Sequence, residues 1–112
     1  MNSLTELSKS IHQANKEKGF WEPPVNFAEK IALIHSECSE LLEAHRKGEG
    51  MKACDKNIIT PNGLLTNTEE EIADIIIRAL DLAGSLDLDI GVAITAKLAY
   101  NATRPHKHGK AF

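Results

Sequence analysis

Two pairs of acidic side chains carry the clearest chemistry in this chain. Glu37 and Glu40 form one pair, and Glu71 and Asp74 form the other. On a helix, a spacing of i, i+3 puts both carboxylates of a pair on one side, with about 5–6 Å between their Cβ atoms. At 100° per residue, Glu37 lies about 60° from the centre of its apolar stripe, and Glu71 lies about 100° from Ile72. These acids therefore fall at the edge of the core face.

We call these four residues the carboxylate quartet. If their two helices pack together, the carboxylates converge, repel one another and resist burial unless a cation offsets their charge. Mg²⁺ prefers oxygen ligands and often shares them with substrate phosphates. The quartet therefore predicts a Mg²⁺ site, with Mn²⁺ as a substitute. The alternative is four solvated acids on helix surfaces. A ferritin-like di-iron site is disfavoured, because the Glu-x-x-His motif that it requires does not occur.

A second group of residues, near the end of the chain, suits phosphate. Lys97, Asn101 and Arg104 recur at i, i+4 and i+7, so on a helix they form a stripe about 60° wide. Arg binds phosphate oxygens in bidentate fashion, Lys acts as a point charge and Asn donates its amide. Lys107 and Lys110 follow closely. The alternatives are a solvated face with a frayed tail, or a nucleic-acid contact. No helix-turn-helix or RNA-binding motif supports the latter.

Length and composition set the frame for these residues. A chain of 112 residues forms one domain, residues 1–112. It is 42% hydrophobic but only 4% aromatic, which favours an aliphatic core built from helices. No apolar run approaches the roughly 18–20 residues that cross a bilayer, and the N-terminus lacks the features of a signal peptide. We therefore expect a cytoplasmic protein that does not bind membranes.

Helix-starting and helix-ending residues predict four helices. Ser3 with Glu6 forms a capping box for the first, and Asn26 with Glu29 marks the second. Asn67 or Thr68 would cap the third, and Asp87 or Asp89 the fourth. The predicted fold class is an all-α four-helix bundle. The helices are expected at about 4–18, 27–47, 67–86 and 90–103.

The apolar stripes of the two acidic helices predict the core. Residues 48–66 have weak periodicity, with 57–65 as the only weak strand candidate, and a loop this long is either mobile or functional. Ile77 points away from its stripe, and the chain is short, so we expect burial against a second copy. The predicted core stripes are Phe27, Ile31, Ile34, Cys38, Leu41 and His45 on the second helix, and Ile72, Ile75, Ile76, Ala79, Leu80, Ala83 and Leu86 on the third.

The motifs together resemble a known family. Glu37-x-x-Glu40 followed by Glu71-x-x-Asp74 is similar to the metal motif of the MazG-like nucleotide pyrophosphohydrolases, of the all-α nucleoside triphosphate pyrophosphatase superfamily. The tail resembles the substrate-binding end of short members of that family. Its residues are Lys97-x-x-x-Asn101-x-x-Arg104-Pro105-x-Lys107-His108-Gly109-Lys110. The similarity covers roughly Phe27 to Lys110. With 30 residues between Glu40 and Glu71, the connection between the acidic motifs is long, so a lid or interface there would be particular to this chain.

This resemblance implies hydrolysis of a nucleoside triphosphate, with a deoxynucleotide favoured, to the monophosphate and pyrophosphate. The quartet would hold Mg²⁺ and activate water, while the basic tail would bind the phosphates. It also implies a homodimer or a dimer of dimers. Because the rest of the chain is acidic and carries no nucleic-acid-binding motif, we expect no stable binding of nucleic acid. Two alternatives stay open. One is another hydrolase of the superfamily, acting on dUTP or phosphoribosyl-ATP; the other is a non-catalytic helical interaction module.

Trp21 is the candidate for contact with a nucleobase. It follows Phe20 in a loop bounded by Pro23 and Pro24, and stacking on an aromatic ring contributes about 1–3 kcal/mol per base. The alternative is that Trp21 anchors this loop to the helices.

Overall fold

The computed structural model describes residues 3–109. Within that range the chain is mainly helical, which confirms the all-α class. The helices are α1 (Ser3–Glu17), α2 (Phe27–Arg46), α3 (Asn67–Ser85) and α4 (Ile90–Ala102), followed by a short 3₁₀ helix, His106–Gly109. Two short antiparallel strands, β1 (Ile59–Thr60) and β2 (Gly63–Leu64), form a hairpin between α2 and α3. None of the helices in the described range has the length and apolar character needed to span a membrane.

Side-chain caps define where α2, α3 and α4 begin. Asn26 caps α2 by accepting from the Glu29 backbone N–H at 3.2 Å, and Asp89 caps α4. For α3 the predicted caps are wrong by one or two residues, because Thr66 is the N-cap and forms a capping box with Glu69. Glu69 lies three residues after Thr66, which is the spacing that a capping box requires.

A glycine lets α1 approach α3 closely. A Cβ atom added at Gly84 would lie 2.7 Å from the Ser8 carbonyl oxygen and 2.8 Å from the His12 Cβ. The Ser8 hydroxyl is completely buried and donates to the Leu80 carbonyl. This contact fixes the position of α1, and with it the side chains that α1 directs toward α3.

Hydrogen bonds from α1 hold the first turn of α4 in place. The Thr5 hydroxyl, which is buried, donates to Asp89 Oδ1 at 2.6 Å and accepts from the Gly91 backbone N–H at 3.0 Å. Beyond this turn every residue from Val92 to Tyr100 is exposed. α4 therefore leaves most of its surface uncovered in a single chain.

α2 and α3 pack side by side in opposite directions. Glu37 contacts Arg78, while Glu40, further along α2, interacts with Glu71, which comes earlier in α3. Residues 50–66, which include the hairpin and are called the hairpin segment below, dock beside the start of α3. There the buried Cys54 donates its backbone N–H to the Leu65 carbonyl at 2.8 Å. The weak strand prediction for residues 57–65 is thus confirmed as a hairpin.

The predicted core stripes are wrong for several residues. Leu80 and Ala83 are buried as expected, but Ile31 is 47% exposed, Ile76 is 50% exposed, and Cys38 is exposed too. The physical reason is that α2 and α3 turn their acidic edges toward each other. Part of the apolar face of each helix is left at the surface.

Candidate metal centre and adjoining pocket

Three carboxylates from α2 and α3 converge at one point. Glu37, Glu71 and Asp74 each offer an oxygen atom, and the three atoms all lie within 4.8 Å of one another. Glu37 is buried at 7% exposure, and the other two are half-buried. Glu40 is exposed and lies outside this trio, although its carboxyl interacts with both Glu37 and Glu71. The structure therefore brings three members of the predicted quartet together and places the fourth at their edge.

Two of these carboxylates contain buried oxygen atoms that lack hydrogen-bond partners. Among the described residues, Glu37 Oε2 and Glu71 Oε2 are both in this state. A buried acceptor without a partner costs about 1–3 kcal/mol, and more when it is charged. A set of carboxylate oxygens with free lone pairs is the donor set that Mg²⁺ or Mn²⁺ takes. The trio therefore fits a hard divalent cation.

The close approach of the acids changes their protonation. Burial, aided by the neighbouring carboxyls of Glu37 and Glu40, raises the pKa of Glu71 to about 7. Burial and the charge of Glu37 also raise the pKa of Asp74. Burial acts upward on Glu37 as well, but hydrogen bonds, of which that from Arg78 is the strongest, lower its pKa overall. A bound cation would favour the ionised form of all three acids.

Arg78 is part of this centre, and the sequence motifs did not identify it. Its Nε donates to Glu37 Oε1 at 2.9 Å. A signal was present, because Arg78 follows Asp74 by four residues and is the only basic residue between Glu69 and Asp89. On a helix that spacing puts it on the same face as Asp74.

A pocket of about 240 Å³ adjoins the trio. Its wall comes from α1, from the loop after α1, and from the facing sides of α2 and α3. Glu37 and Asp74 lie in this wall together with Trp21, so the predicted base-contacting residue and two candidate metal ligands share one pocket. The lining residues are Asn15, Phe20, Trp21, Lys30, Leu33, Glu37, Asp74, Ile77, Arg78, Asp81 and Leu82.

Asp81 holds one side of the pocket together. The Trp21 Nε1–H donates to both of its carboxylate oxygens, at 3.0 and 3.1 Å. Asn15 Nδ2 donates to Oδ2 at 2.9 Å, and His12 Nδ1 lies 2.9 Å from Oδ1. No local sequence pattern predicts this cluster, because its members are far apart along the chain. Trp21 is thus anchored by Asp81 and lines the pocket at the same time.

A lysine covers the Trp21 ring. Lys30 Nζ lies 4.3 Å from the ring centroid and donates to the Phe20 carbonyl. The His12 ring meets the indole in an edge-to-face contact, with 4.8 Å between centroids. The indole plane is therefore fixed from several directions.

The predicted phosphate-binding stripe lies away from this pocket. Lys97 and Asn101 lie on α4 and Arg104 follows it, and none of the three lines the pocket. Lys97 Nζ and the Arg104 guanidinium lie 4.7 and 5.8 Å from the Tyr100 ring centroid. Lys107 is exposed in the 3₁₀ helix, and Lys110 lies outside the described residues.

A second acid near the trio is neutralised from the hairpin segment. Glu70 is 8% exposed, and its Oε1 accepts from Lys56 Nζ at 2.9 Å. This hydrogen bond, with that to Asp55, raises the pKa of Lys56 above its usual range. The pair fastens the segment before the hairpin to the first turn of α3, next to the helical turn that carries Glu71 and Asp74.

No protein-family model, curated protein or solved structure matches this chain. What the fold and the site define is an all-α chain with a three-carboxylate centre beside a pocket that contains an aromatic ring and two basic side chains.

Proposed function

We propose that this chain is a Mg²⁺-dependent nucleoside triphosphate pyrophosphohydrolase. It hydrolyses a nucleoside or deoxynucleoside triphosphate to the monophosphate and pyrophosphate. One observation carries the proposal. Glu37, Glu71 and Asp74 converge beside a pocket that contains Trp21, and Glu37 and Glu71 each have a buried carboxylate oxygen without a hydrogen-bond partner. Hydrolysis at phosphorus needs stabilisation of the charge that develops on the phosphate oxygens, which a cation at the trio would supply, while Trp21 would contact the base. The resemblance of the motifs to the MazG-like family adds support.

The residues take the following roles. Glu37, Glu71 and Asp74 hold the metal, with Glu40 at its edge. Bound Mg²⁺ would act as a Lewis acid toward the phosphate oxygens and would lower the pKa of a water molecule bound to it. Trp21, whose N–H is held by Asp81, presents its ring to the nucleobase.

The chain works as a homodimer or a dimer of dimers in this proposal. Within the described residues, the buried hydrophobic side chains are few, namely Cys54, Leu80 and Ala83. The radius of gyration is 16.5 Å, against about 13 Å for a compact domain of roughly 100 residues. Exposed apolar faces on α2, α3 and α4 need a partner, and a second copy offers the same faces in return.

This assembly gives the basic stripe a role. Because Lys97, Asn101 and Arg104 do not line the pocket of their own chain, we assign them to the phosphates bound by a neighbouring copy. Lys107 and Lys110, which extend the stripe in sequence, are assigned with them.

The test of the activity is a substrate screen. Purified protein is incubated with each common NTP and dNTP, and with phosphoribosyl-ATP, and pyrophosphate is measured with Mg²⁺ and with chelator. We expect pyrophosphate from at least one nucleotide, only with Mg²⁺ or Mn²⁺. A preference for dUTP or phosphoribosyl-ATP would select the other superfamily activities. Release of no pyrophosphate from any of them would favour a non-catalytic interaction module and contradict the proposal.

The test of the shared site is complementation. Asp74→Asn removes a metal ligand, and Arg104→Ala removes a cation of the stripe, so each variant alone should be inactive. After mixing and subunit exchange, a dimer with sites shared between copies recovers about one quarter of wild-type sites. Recovery of no activity, in mixtures shown to contain heterodimers, would mean that each chain supplies its own stripe.

A further inference from the structure

Two basic side chains line the pocket from opposite helices. Lys30 comes from α2 and Arg78 from α3, and both share the pocket wall with the metal ligands Glu37 and Asp74. Neither belongs to the basic stripe that the sequence singled out. Arg78 contacts Glu37 of the trio, and Lys30 lies over the Trp21 ring, so one cation is next to the acids and the other is next to the aromatic wall.

Arg78 has guanidinium N–H donors that its hydrogen bond to Glu37 does not use. In the hydrogen bonds of residues 3–109 it donates through Nε, to Glu37. A guanidinium carries five N–H donors in a fixed fork, so its two terminal nitrogens are available for an incoming anion. Bidentate contact with phosphate oxygens is the contact that this geometry favours. Because Arg78 follows Asp74 by one helical turn, such an anion would lie beside the metal.

Lys30 is a cation without a carboxylate partner among the described residues. Its ammonium is held by the Phe20 carbonyl and the Trp21 ring, neither of which offsets a full charge. Lys30 precedes Glu37 by seven residues, about two helical turns, so both lie on one face of α2. A cation held over the ring that we assign to the base is suited to the phosphate nearest the nucleoside.

Three acids lie in the pocket wall with these two cations. Asp81 already accepts hydrogen bonds from Trp21 and Asn15 and contacts His12. Glu37 and Asp74 are assigned to the metal. Mg²⁺ would offset only part of the charge of its three ligands, and the neutral donors Trp21 and Asn15 leave the charge of Asp81 in place. Lys30 and Arg78 therefore bring the pocket close to neutral, which allows a polyanion to bind next to the metal.

We infer that Lys30 and Arg78 form an anion subsite that binds the phosphate chain of the nucleotide within one chain. Arg78 contacts the phosphates next to the metal, and Lys30 contacts the phosphate nearest Trp21. The inference rests on the proposed function and adds a substrate contact that does not depend on a second copy.

The experiment measures binding of inorganic tripolyphosphate with Mg²⁺ by calorimetry, so that no base contributes. Arg78→Gln and Lys30→Gln are compared with Arg46→Gln and Lys47→Gln, which remove exposed cations at the end of α2. A lost charged hydrogen bond should weaken binding by about tenfold or more in each pocket variant, and the loss should shrink at high salt. The two controls should bind as the wild type does.

Binding of Mn²⁺, followed by electron paramagnetic resonance, separates the subsite from the metal centre. We expect Arg78→Gln and Lys30→Gln to keep Mn²⁺ binding. Unchanged tripolyphosphate affinity in both variants would overturn the inference, as would loss of Mn²⁺ binding in Arg78→Gln, which would make Arg78 a positioning residue for Glu37. If Arg78→Gln loses its helical circular dichroism, the tripolyphosphate affinity of Lys30→Gln tests the inference in its place.

The binding and activity measurements distinguish a failure of the anion subsite from a failure of the proposed hydrolysis. Wild-type protein that hydrolyses a nucleotide while both pocket variants bind tripolyphosphate normally would remove the subsite and leave the activity. Wild-type protein that binds tripolyphosphate through Lys30 and Arg78 but hydrolyses none of the nucleotides would leave the subsite and remove the activity.

Discussion

Glu71 makes the stability of the metal-free protein depend on pH. Its pKa is raised from 4.5 to about 7 in the folded state, so the folded protein holds this proton more tightly than the unfolded chain does. The stabilisation is therefore fully present below about pH 4.5 and is lost as the pH rises to about 7. Above that pH the fold contains an ionised Glu71 beside two other acids, and a cation would relieve the repulsion.

We predict that Mg²⁺ raises the melting temperature more at pH 8 than at pH 5.5. Only at the higher pH are all three acids ionised, so the cation then gains its full electrostatic interaction. Thermal unfolding with and without Mg²⁺ at both pH values measures the effect. Glu71→Gln should abolish the difference, and Glu29→Gln, an exposed control on α2, should keep it. A Mg²⁺ shift of the same size at both pH values would rule out this origin.

The residues of the site differ in whether a local sequence pattern predicts them. Glu37, Glu71 and Asp74 were predictable, because i, i+3 spacing on a helix decides which face a carboxylate occupies. Asp81 was not, because its partners His12 and Trp21 meet it only through the packing of α1 against α3. Long-range contacts of this kind leave no period in the sequence.

The contact between α1 and α3 at Gly84 leaves no room for a side chain. We predict that Gly84→Ala lowers the free energy of unfolding by about 1–3 kcal/mol, because the new methyl group meets backbone of α1 that has no room to move. Chemical denaturation measures it, with Ser39→Ala, at an exposed position of α2, as the control. A variant as stable as the wild type would mean that α1 shifts without cost.

The Lys56–Glu70 ion pair adds to the backbone hydrogen bonds that fasten the hairpin segment to the start of α3, such as that from the Thr68 N–H to the Gly50 carbonyl. We predict that Lys56→Ala lowers the melting temperature more than Lys52→Ala does. Lys56 neutralises the buried Glu70 at 2.9 Å, whereas Lys52 pairs with Glu49 at 3.9 Å in a more exposed setting. A buried carboxylate that loses its partner is destabilising. Equal melting temperatures for the two variants would show that Glu70 finds another partner.

Helix limits were largely predictable, but helix partners were not. Caps such as Asn26 and Asp89 act within a few residues, so the sequence located α2 and α4 closely. The apolar stripes that contain Ile31 on α2 and Ile76 on α3 are present in the structure. Periodicity, however, indicates only that a helix face is apolar. It does not say whether the neighbour belongs to the same chain, and here that face is exposed.

At the scale of the whole molecule, the exposed apolar faces predict self-association. We expect sedimentation at micromolar concentration to give a dimer or tetramer, and Ile76→Lys to shift it toward monomer by placing charge on the exposed face of α3. Gln13→Lys, at an exposed polar position of α1, is the control and should leave the assembly intact. A wild-type monomer would contradict the proposed assembly.

The central claim is that the three converging carboxylates support pyrophosphate release. The most direct measurement is Mg²⁺-dependent pyrophosphate release from the best nucleotide by wild type, Asp74→Asn and Asp87→Asn. Asp87 is an exposed acid between α3 and α4, so its variant serves as the matched control. We predict that Asp74→Asn loses at least a hundredfold in rate while keeping its helical circular dichroism, and that Asp87→Asn keeps full activity. Equal rates in the three proteins would contradict the claim.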